Sequence, residues 1–230
     1  MRETPKTHLI ITVDGPAGSG KTTTAKAIAE RLGYRHLDSG ALYRALTYAL
    51  LEAGIPESDW PNLTSDDLAA LGVRAGVSVG RVDIYLGDTI LGEELRTPEV
   101  TRDVPAVAKL GAVRTWLLDI QRDLGLHGAL VADGRDMGSV VFPEAELKVF
   151  LVASLEQRAR RRLFQDTGVD PADSEVEAEA ARIYARDVID SERELSPLRR
   201  PEGAFEIDTT DLDFEDQVRA ILKRVIDLTE

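Results

Sequence analysis

Residues 15–22 read GPAGSGKT and match the spacing G-x-x-x-x-G-K-[ST], which is typical of loops that bind nucleotide phosphates. Glycines in such a loop let backbone N–H groups approach a polyphosphate, because no side chain blocks them. Lys21 would place its ammonium between the β- and γ-phosphates, and the Thr22 hydroxyl would bind Mg²⁺. The predicted nucleotide-binding residues are Gly15, Pro16, Ala17, Gly18, Ser19, Gly20, Lys21, Thr22 and Thr23.

A second candidate segment, residues 130–136, reads LVADGRD and carries two carboxylates and an arginine directly after an apolar run. Open α/β sheets bind ligands beyond the carboxyl ends of their strands, so this position favours a site. Asp133 is placed like the acidic residue that supports Mg²⁺ in phosphate-loop enzymes, and Arg135 would bridge phosphates. A turn held by a local ion pair is the alternative, since surface ion pairs are common and individually weak.

Arginine makes up 22 of the 28 basic residues, and it suits planar, bidentate contacts with phosphate. The clustered arginines are Arg158, Arg160, Arg161, Arg162, Arg182, Arg186, Arg193, Arg199 and Arg200. The run over 158–162 is compatible with a phosphate-binding segment or with a solvated basic helix face. No role is assigned to Arg182, Arg199 or Arg200, because surface arginines are abundant in this chain.

The elements that must position these residues alternate between strand-like and helix-like patterns. An apolar run from Leu9 to Val13 precedes the glycine loop, and a helix pattern over 22–32 follows it. Further helix patterns lie at 105–124, 174–192 and 214–228. The last of them has Asp213 as its N-cap. Strand-like runs lie at 8–13, 34–38, 129–133, 147–153 and 204–209. Strands alternating with helices predict an α/β fold with a parallel sheet.

The pattern changes between residues 63 and 103, where apolar residues alternate with polar residues or glycine. Alternation with a period of two is typical of half-buried strands, and Gly80-Arg81 and Gly87-Asp88 mark turns. We predict an insertion that contains a small antiparallel sheet. Because the chain shows no internal repeat and no long linker, residues 1–230 are expected to form one core domain that carries this insertion.

Composition narrows the function classes and the expected partners. The formal charge of −13 disfavours nucleic acid polymers and anionic membranes, and the absence of cysteine excludes disulfides and thiolate chemistry. His8, His36 and His127 lack paired ligand spacing and are expected to be ordinary polar residues, so the expected metal is Mg²⁺ brought with the nucleotide. The chain has no apolar run of about 18 residues and no leader pattern, which predicts a cytoplasmic protein. We expect a monomer.

Several ordered motifs together resemble the bacterial cytidylate kinase family. They are the phosphate loop, LDSGALYR at 37–44, ELRTPEV at 94–100, ADGRDMGSVVFP at 132–143 and RD-x-x-D-x-x-R at 186–193. The resemblance extends from the first strand to the terminal helix. It implies a P-loop NTPase fold of three α/β/α layers with a five-stranded parallel sheet. It also implies a monophosphate-binding region over residues 40–110, which includes the insertion, and a short lid over residues 155–170.

The resemblance also implies a reaction, the transfer of the γ-phosphate of ATP to CMP or dCMP, giving ADP and CDP or dCDP. By similarity, Ser39, Arg44, Arg135 and Arg193 hold the acceptor phosphate, Arg186 and Asp190 lie near its sugar, and Arg114 and Asp136 face the cytosine. Asp136 would discriminate CMP from UMP, since a carboxylate accepts from the amino group of cytosine and cannot serve the uracil carbonyl equally. Pro105 departs from the family, which commonly has a hydroxyl residue there.

The predicted mechanism needs no general base, because the attacking oxygen belongs to a phosphate that is already largely ionised near neutral pH. Charge on the transferring group would be stabilised by Mg²⁺, held partly by Thr22 and Asp133, and by the catalytic residues. These are Lys21, Arg135, Arg158, Arg161 and Arg162. The loop after Leu155 would close as a lid that excludes water.

Three alternative functions share parts of these motifs. A GTPase-type switch would need a guanine-reading N-K-x-D motif, but Asn62 is the only asparagine and is followed by Leu63. A protein that hydrolyses ATP to change shape would not need the acceptor arginines. A kinase for UMP, AMP or a small hydroxylated metabolite stays open, because phosphate-loop chemistry is shared. A hydroxyl acceptor would require a base, a role that Asp136 would take.

Overall fold

The computed structural model describes residues 8–229 and contains the five parallel strands expected from the sequence, while residues 1–7 and residue 230 lie outside the described part. Its strands are β1 Ile10–Asp14, β2 Arg35–Asp38, β3 Val73–Ser78, β4 Arg81–Leu86, β5 Thr89–Ile90, β6 Leu130–Gly134, β7 Leu147–Val152 and β8 Phe205–Asp208. Its α-helices are α1 Lys21–Leu32, α2 Ser39–Glu52, α3 Ser65–Ala70, α4 Pro98–Val107, α5 Gly111–Gly125, α6 Leu155–Thr167, α7 Asp173–Ser191 and α8 Phe214–Thr229. Two 3₁₀ turns lie at Glu57–Asn62 and Glu93–Arg96, and a π-type turn lies at Met137–Val141.

The five parallel strands lie side by side in the order β2-β6-β1-β7-β8. The central strand β1 pairs with β6, with Val13 opposite Asp133 and Asp14 opposite Gly134. On the other side of β6, Asp38 at the end of β2 also lies opposite Asp133. This register brings the carboxyl ends of three strands to one edge of the sheet, where ligands of α/β folds bind.

Helices cover both faces of the sheet, which confirms the three α/β/α layers. On one face, α1 and α8 contribute the fully buried Ile28 and Ile221 to an apolar cluster with β1, β7 and β8. On the other face, α2 and α5 contribute Leu46 and Leu117 to a cluster with β2 and β6. Each such side chain contributes about 1.5–3 kcal/mol on burial, so the two clusters hold the strand ends firmly. No helix within residues 8–229 is long and apolar enough to cross a bilayer.

The antiparallel strands of the insertion connect to the core more directly than we expected. β3 and β4 form a hairpin with Val73 opposite Leu86, and β5 pairs with β4. β4 also pairs with β2 in parallel at one position, where His36 lies opposite Arg81. In the described residues the hairpin therefore extends the main sheet to eight strands instead of forming a separate small sheet.

Two local expectations are wrong. The pattern over 105–124 is not one helix, because the backbone of Leu110 is extended, with ψ 123°, and separates α4 from α5. The carbonyl of Ala108 at this break accepts a hydrogen bond from the Arg114 guanidinium at 3.0 Å. The segment after Leu155 is not a loop but the start of α6, whose N-cap residue Ser154 accepts from the N–H of Gln157.

Candidate active site

The phosphate loop connects β1 to α1 and needs glycine for geometric reasons. Gly18 and Gly20 have φ of +74° and +83°, in the left-handed region that glycine enters without strain. At Gly15, a Cβ atom would lie 2.4 Å from the backbone carbonyl oxygen of Leu151 in β7. The loop therefore has room only for a bare backbone at this point. The helix α1 begins directly after it and directs its positive dipole end at the loop.

Lys21, the first residue of α1, places its ammonium beside the phosphate loop and donates to the carbonyl of Pro16 at 3.3 Å. Burial, followed by repulsion from Arg135, lowers the pKa of Lys21 to about 7. Desolvation disfavours the charged amine, and an anion bound nearby favours it again. A bound anion beside Lys21 would therefore raise the pKa of this amine and favour its charged form.

Thr22 and Asp133, the predicted magnesium ligands, lie in direct contact. The Thr22 hydroxyl donates to Oδ2 of Asp133 at 2.6 Å, and Nε2 of His36 lies 2.8 Å from Oδ1 of the same carboxylate. A hydroxyl and a carboxylate are hard oxygen ligands that suit Mg²⁺, so this pair fits the ion. Among residues 8–229, no three acidic or histidine side chains form a metal-binding cluster. Phosphate oxygens and water would therefore supply the remaining ligands.

A cavity of about 240 Å³ opens beside Lys21 and collects all the predicted acceptor residues. They are Ser39, Arg44, Arg114, Arg135, Asp136, Arg186, Asp190 and Arg193. Lys21, Thr22 and Asp133 line the same cavity, so the donor and acceptor groups share one space. Close packing sets the position of Ser39, because a Cβ atom on Gly134 would lie only 2.5 Å from the Ser39 hydroxyl oxygen.

Arginine side chains dominate the charge of this cavity. Arg186 has a buried Nε atom without a hydrogen-bond partner in the described part of the chain. Burial and the neighbouring Arg135 lower the pKa of Arg186 to about 10. Burial and Arg96 likewise lower the pKa of Arg44. Guanidinium groups crowded in this way are stabilised by an anion that they share, and phosphate matches their planar geometry.

Asp190 on α7 orients two of the cavity arginines. Its carboxylate accepts from Nε of Arg135 at 2.9 Å and from Arg193 at 2.8 Å. Burial opposes the ionisation of Asp190, but Arg135 and Arg193 hold its pKa below the usual range. The charged carboxylate thus holds Arg135, which follows β6, and Arg193, which follows α7, in fixed positions.

Asp136 and Arg114 form a buried ion pair in the cavity wall. Nη2 of Arg114 lies 2.5 Å from Oδ2 of Asp136, and the two side chains are 6% and 8% exposed. The ring of Tyr43 lies 5.4 Å from the Arg114 guanidinium, and burial raises the pKa of Tyr43 to about 12. Pro105 lines the same cavity. A buried carboxylate beside an aromatic ring and a proline suits a flat heterocycle that carries a hydrogen-bond donor.

The three arginines of the predicted lid point in different directions from α6. Arg162 lines the cavity. Arg161 donates to the hydroxyl of Thr209 at 2.9 Å, beyond the end of β8 and outside the cavity lining. Arg158 is buried and donates to the carbonyl of Ala17 in the phosphate loop at 3.0 Å. The structure therefore brings one of the three to the cavity, and the catalytic roles of all three stay predictions.

Asp187, which the sequence analysis left without a role, fastens α7 to the phosphate loop. Its carboxylate accepts from the N–H of Ala17 at 3.1 Å and from the Arg158 guanidinium. Because Arg158 also donates to the Ala17 carbonyl, both backbone polar groups of this loop residue are held. We call this contact the Asp187–Arg158 clasp. The signal was present in the RD-x-x-D motif, in which Asp187 follows Arg186.

Four further residues of the site were also missed, namely His36, Asp38, Tyr43 and Arg96. Asp38 is the N-cap of α2, where its carboxylate accepts from the N–H of Ala41 at 3.2 Å. Burial and the nearby Asp133 raise the pKa of Asp38. An aspartate followed by a helix pattern is a recognisable N-cap, so this role of Asp38 could have been predicted from the sequence.

Replacing Asp187 with alanine is expected to destabilise the protein by about 3–5 kcal/mol, because the Arg158 guanidinium would stay buried without its carboxylate. The side chains of Arg158 and Asp187 are 10% and 17% exposed. Urea unfolding, monitored by circular dichroism, measures the change in the free energy of unfolding. Asp173→Ala is the matched control, because Asp173 is 87% exposed in its ion pair with Arg160. It should cost less than about 1 kcal/mol. Equal losses in the two variants would contradict the structural importance of the clasp.

Comparison with known proteins gives matches over almost the whole chain. The family model described as cytidylate kinase matches residues 11–227. A cytidylate kinase from Streptococcus suis is 43% identical over 96% of this chain and 97% of the relative. Those from Exiguobacterium sp. and Bacillus subtilis are 44% and 40% identical, each over 94% of this chain and 96% of the relative. The matched residues include both the phosphate loop and the acceptor cavity.

Proposed function

Since the chain belongs to the cytidylate kinase family and is a nucleoside monophosphate kinase for CMP or dCMP, we propose that phosphoryl transfer from ATP takes place in the cavity beside Lys21. The observation that carries this proposal is that the phosphate loop and the acceptor residues line one cavity. Two anionic substrates that meet in one space need cations around both, and the arginines of the cavity supply them.

The donor triphosphate is proposed to lie along the phosphate loop, with Lys21 against its β- and γ-phosphates. A Mg²⁺ ion at this site would supply positive charge that offsets the charge on the phosphates. Thr22 and Asp133 would hold it, since their side-chain oxygens are adjacent. The contact of His36 with the other Asp133 oxygen would keep this carboxylate in one orientation.

The acceptor phosphate is proposed to contact Ser39, Arg44, Arg135 and Arg193, with Arg186 and Asp190 near the sugar. A phosphate monoester loses its second proton with a pKa of about 6, so the attacking oxygen needs no base at neutral pH. Asp190 holds Arg135 and Arg193 before substrate arrives, which reduces the ordering required on binding. The residues thus contribute by positioning and by charge neutralisation.

The cytosine base is proposed to lie against Asp136. Arg114 engages Oδ2 of this carboxylate, and Oδ1 is proposed to accept from the exocyclic amino group of cytosine. Tyr43 and Pro105 would supply flat apolar contacts. Because Pro105 has no hydroxyl, we assign the discrimination between cytosine and uracil to Asp136.

The proposal extends to the organisation of the chain. Residues 1–230 would form one kinase core, with the insertion over 63–103 in the monophosphate-binding region. Residues 155–170, which include α6, would act as the lid, and Arg162 would reach the transferring phosphate from the cavity wall. A cytoplasmic location and a monomeric state complete the proposal.

A coupled ADP-release assay with ATP, Mg²⁺ and a single acceptor tests this function. We expect kcat/KM for CMP and dCMP to exceed the values for UMP and AMP by about 10²-fold or more, because uracil lacks the amino group that Asp136 would bind and adenine carries its amino group on a larger, two-ring base. Removal of Mg²⁺ with EDTA should abolish turnover. ADP release that does not depend on an acceptor would instead support a hydrolytic switch, and a preference for UMP or AMP would reject the assigned acceptor.

A further inference from the structure

Asp14 is a fully buried carboxylate that the proposed mechanism leaves without a role. It is the last residue of β1 and stands directly before the phosphate loop. Burial raises the pKa of Asp14 to about 7, although hydrogen bonds from Gly138 and Met137 lower it. An apolar residue of similar size would avoid this cost of burial, but it could not accept these hydrogen bonds.

Both carboxylate oxygens of Asp14 accept hydrogen bonds from a distant part of the chain. Oδ1 accepts from the backbone N–H of Met137 at 2.9 Å, and Oδ2 accepts from that of Gly138 at 2.7 Å. These N–H groups begin the π-type turn over 137–141, and the first N–H groups of a helical turn have no partner within it. Asp14 therefore caps this turn from the central strand.

The turn that Asp14 caps begins directly after Asp136, the residue proposed to read cytosine. The carbonyl of Asp136 accepts from two N–H groups of the turn, at 2.9 and 3.1 Å. The turn also packs closely on β1, since a Cβ atom on Gly138 would lie 2.6 Å from Oγ1 of Thr12 and 3.3 Å from Oδ2 of Asp14. Packing opposes movement of the turn toward the sheet, and the two hydrogen bonds from the turn to Asp14 oppose movement away from it.

We propose that Asp14 is a positioning residue for base selectivity, which fixes the Asp136 carboxylate by holding the backbone at Met137 and Gly138. This inference rests on the proposed role of Asp136. Asp14 acts through the turn and not on the substrate. Because Asp14 also adjoins the phosphate loop, support of donor binding is the competing role, and the kinetics must separate the two.

The variant Asp14→Asn tests this proposal at almost constant side-chain volume. Asparagine has one acceptor oxygen, and its amide group would face one of the two backbone N–H groups with a donor. The turn must then shift, and displacement of a positioned group by about 1 Å costs on the order of 10²-fold in rate. We expect kcat/KM for CMP to fall by about 30- to 100-fold, with the value for UMP and the KM for ATP changing less than about threefold.

Thr12→Val is the matched control for a change of a buried polar group on β1. Thr12 is fully buried, and its hydroxyl also approaches Gly138. Within residues 8–229, this hydroxyl has no hydrogen-bond partner. Valine keeps nearly the same shape, so the ratio of the kcat/KM values for CMP and UMP should stay at the wild-type value. A large fall of this ratio in Thr12→Val would assign the effect to packing and overturn the proposal.

A merely structural role of Asp14 would lower kcat/KM for CMP and UMP by the same factor. That result, or a raised KM for ATP, would overturn the proposal. If the wild-type protein shows no preference for CMP, the proposed function itself fails, so the two failures are distinguishable.

If Asp14→Asn does not fold, hydrogen exchange on the wild-type protein decides the question. The amides of Met137 and Gly138 should be protected in the free protein and should gain protection with CMP but not with ATP alone. Rapid exchange of these two amides, or no response to CMP, would overturn the proposed positioning role.

Discussion

Replacing Lys21 with alanine is expected to lower kcat/KM by about 10³-fold or more, since a cation that contacts the transferring phosphoryl group contributes on this scale. Lys21 lines the cavity shared by the donor and acceptor groups. Its lowered pKa of about 7 means that the free protein stabilises the charged amine poorly. The developing charge on the γ-phosphate would meet a cation that is already in position and has little water around it, which is the most effective form of electrostatic stabilisation.

Lys26→Ala is the control for this variant, because Lys26 is exposed on the same helix. The coupled ADP-release assay should show unchanged kinetics for Lys26→Ala. Thermal unfolding of Lys21→Ala should occur at or above the wild-type Tm, because a buried amine that resists charging adds little to stability. A loss of kcat/KM below about tenfold in Lys21→Ala would contradict the predicted role of this lysine.

The five parallel strands and the phosphate loop could be predicted closely from the sequence, because their signals are local. The strand over 34–38 is observed as Arg35–Asp38, and the strand over 147–153 as Leu147–Val152. Both are apolar or alternating runs of ordinary strand length. The final helix could also be predicted closely from the sequence. Its predicted N-cap, Asp213, accepts from the N–H of Glu215, as an N-cap residue does.

The break between α4 and α5 could not be predicted from periodicity, since both halves carry helix-like apolar spacing. The break is stabilised by a side chain from the next helix, because the Arg114 guanidinium satisfies the carbonyl of Ala108. This arrangement also sets Arg114 beside Asp136. The helix α6, in contrast, could have been predicted from the sequence. Ser154, followed three residues later by Gln157, forms a capping pattern that marks the start of a helix.

The acceptor residues were predicted from motifs shared with a known family, because their spacing in the sequence does not show that they meet in one cavity. Arg44, Arg114 and Arg186 lie on three different helices, and no spacing within one element predicts that they converge. Asp14 shows a second reason why a residue escapes prediction. It accepts only from backbone N–H groups of a distant segment, and such a contact requires no particular partner residue type that the sequence could display. Asp187 also accepts from a backbone N–H group, but its ion pair with Arg158 and its place in the RD-x-x-D motif gave it a sequence signal.

Replacing Asp136 with asparagine is expected to shift the acceptor preference from CMP toward UMP. Asparagine keeps the size of the side chain, and its carbonyl oxygen can still accept from Arg114, so the buried guanidinium keeps a partner. The amide N–H₂ would then replace Oδ1 at the base. A donor at this position repels the amino group of cytosine and suits the O4 carbonyl of uracil.

A correct hydrogen-bond pairing discriminates between bases by about 1–3 kcal/mol, and this substitution both removes one such pairing and creates another. We therefore expect the ratio of kcat/KM for CMP to that for UMP to fall by about 10²-fold or more. The ADP-release assay with each acceptor measures this ratio, and Asp119→Asn, an exposed change on α5, should leave it unchanged. If Asp136→Asn lowers turnover of both acceptors equally, the carboxylate supports the fold of the cavity and the base is read by another group. If UMP turnover rises while CMP turnover falls, Asp136 distinguishes the two bases by the direction of a single hydrogen bond.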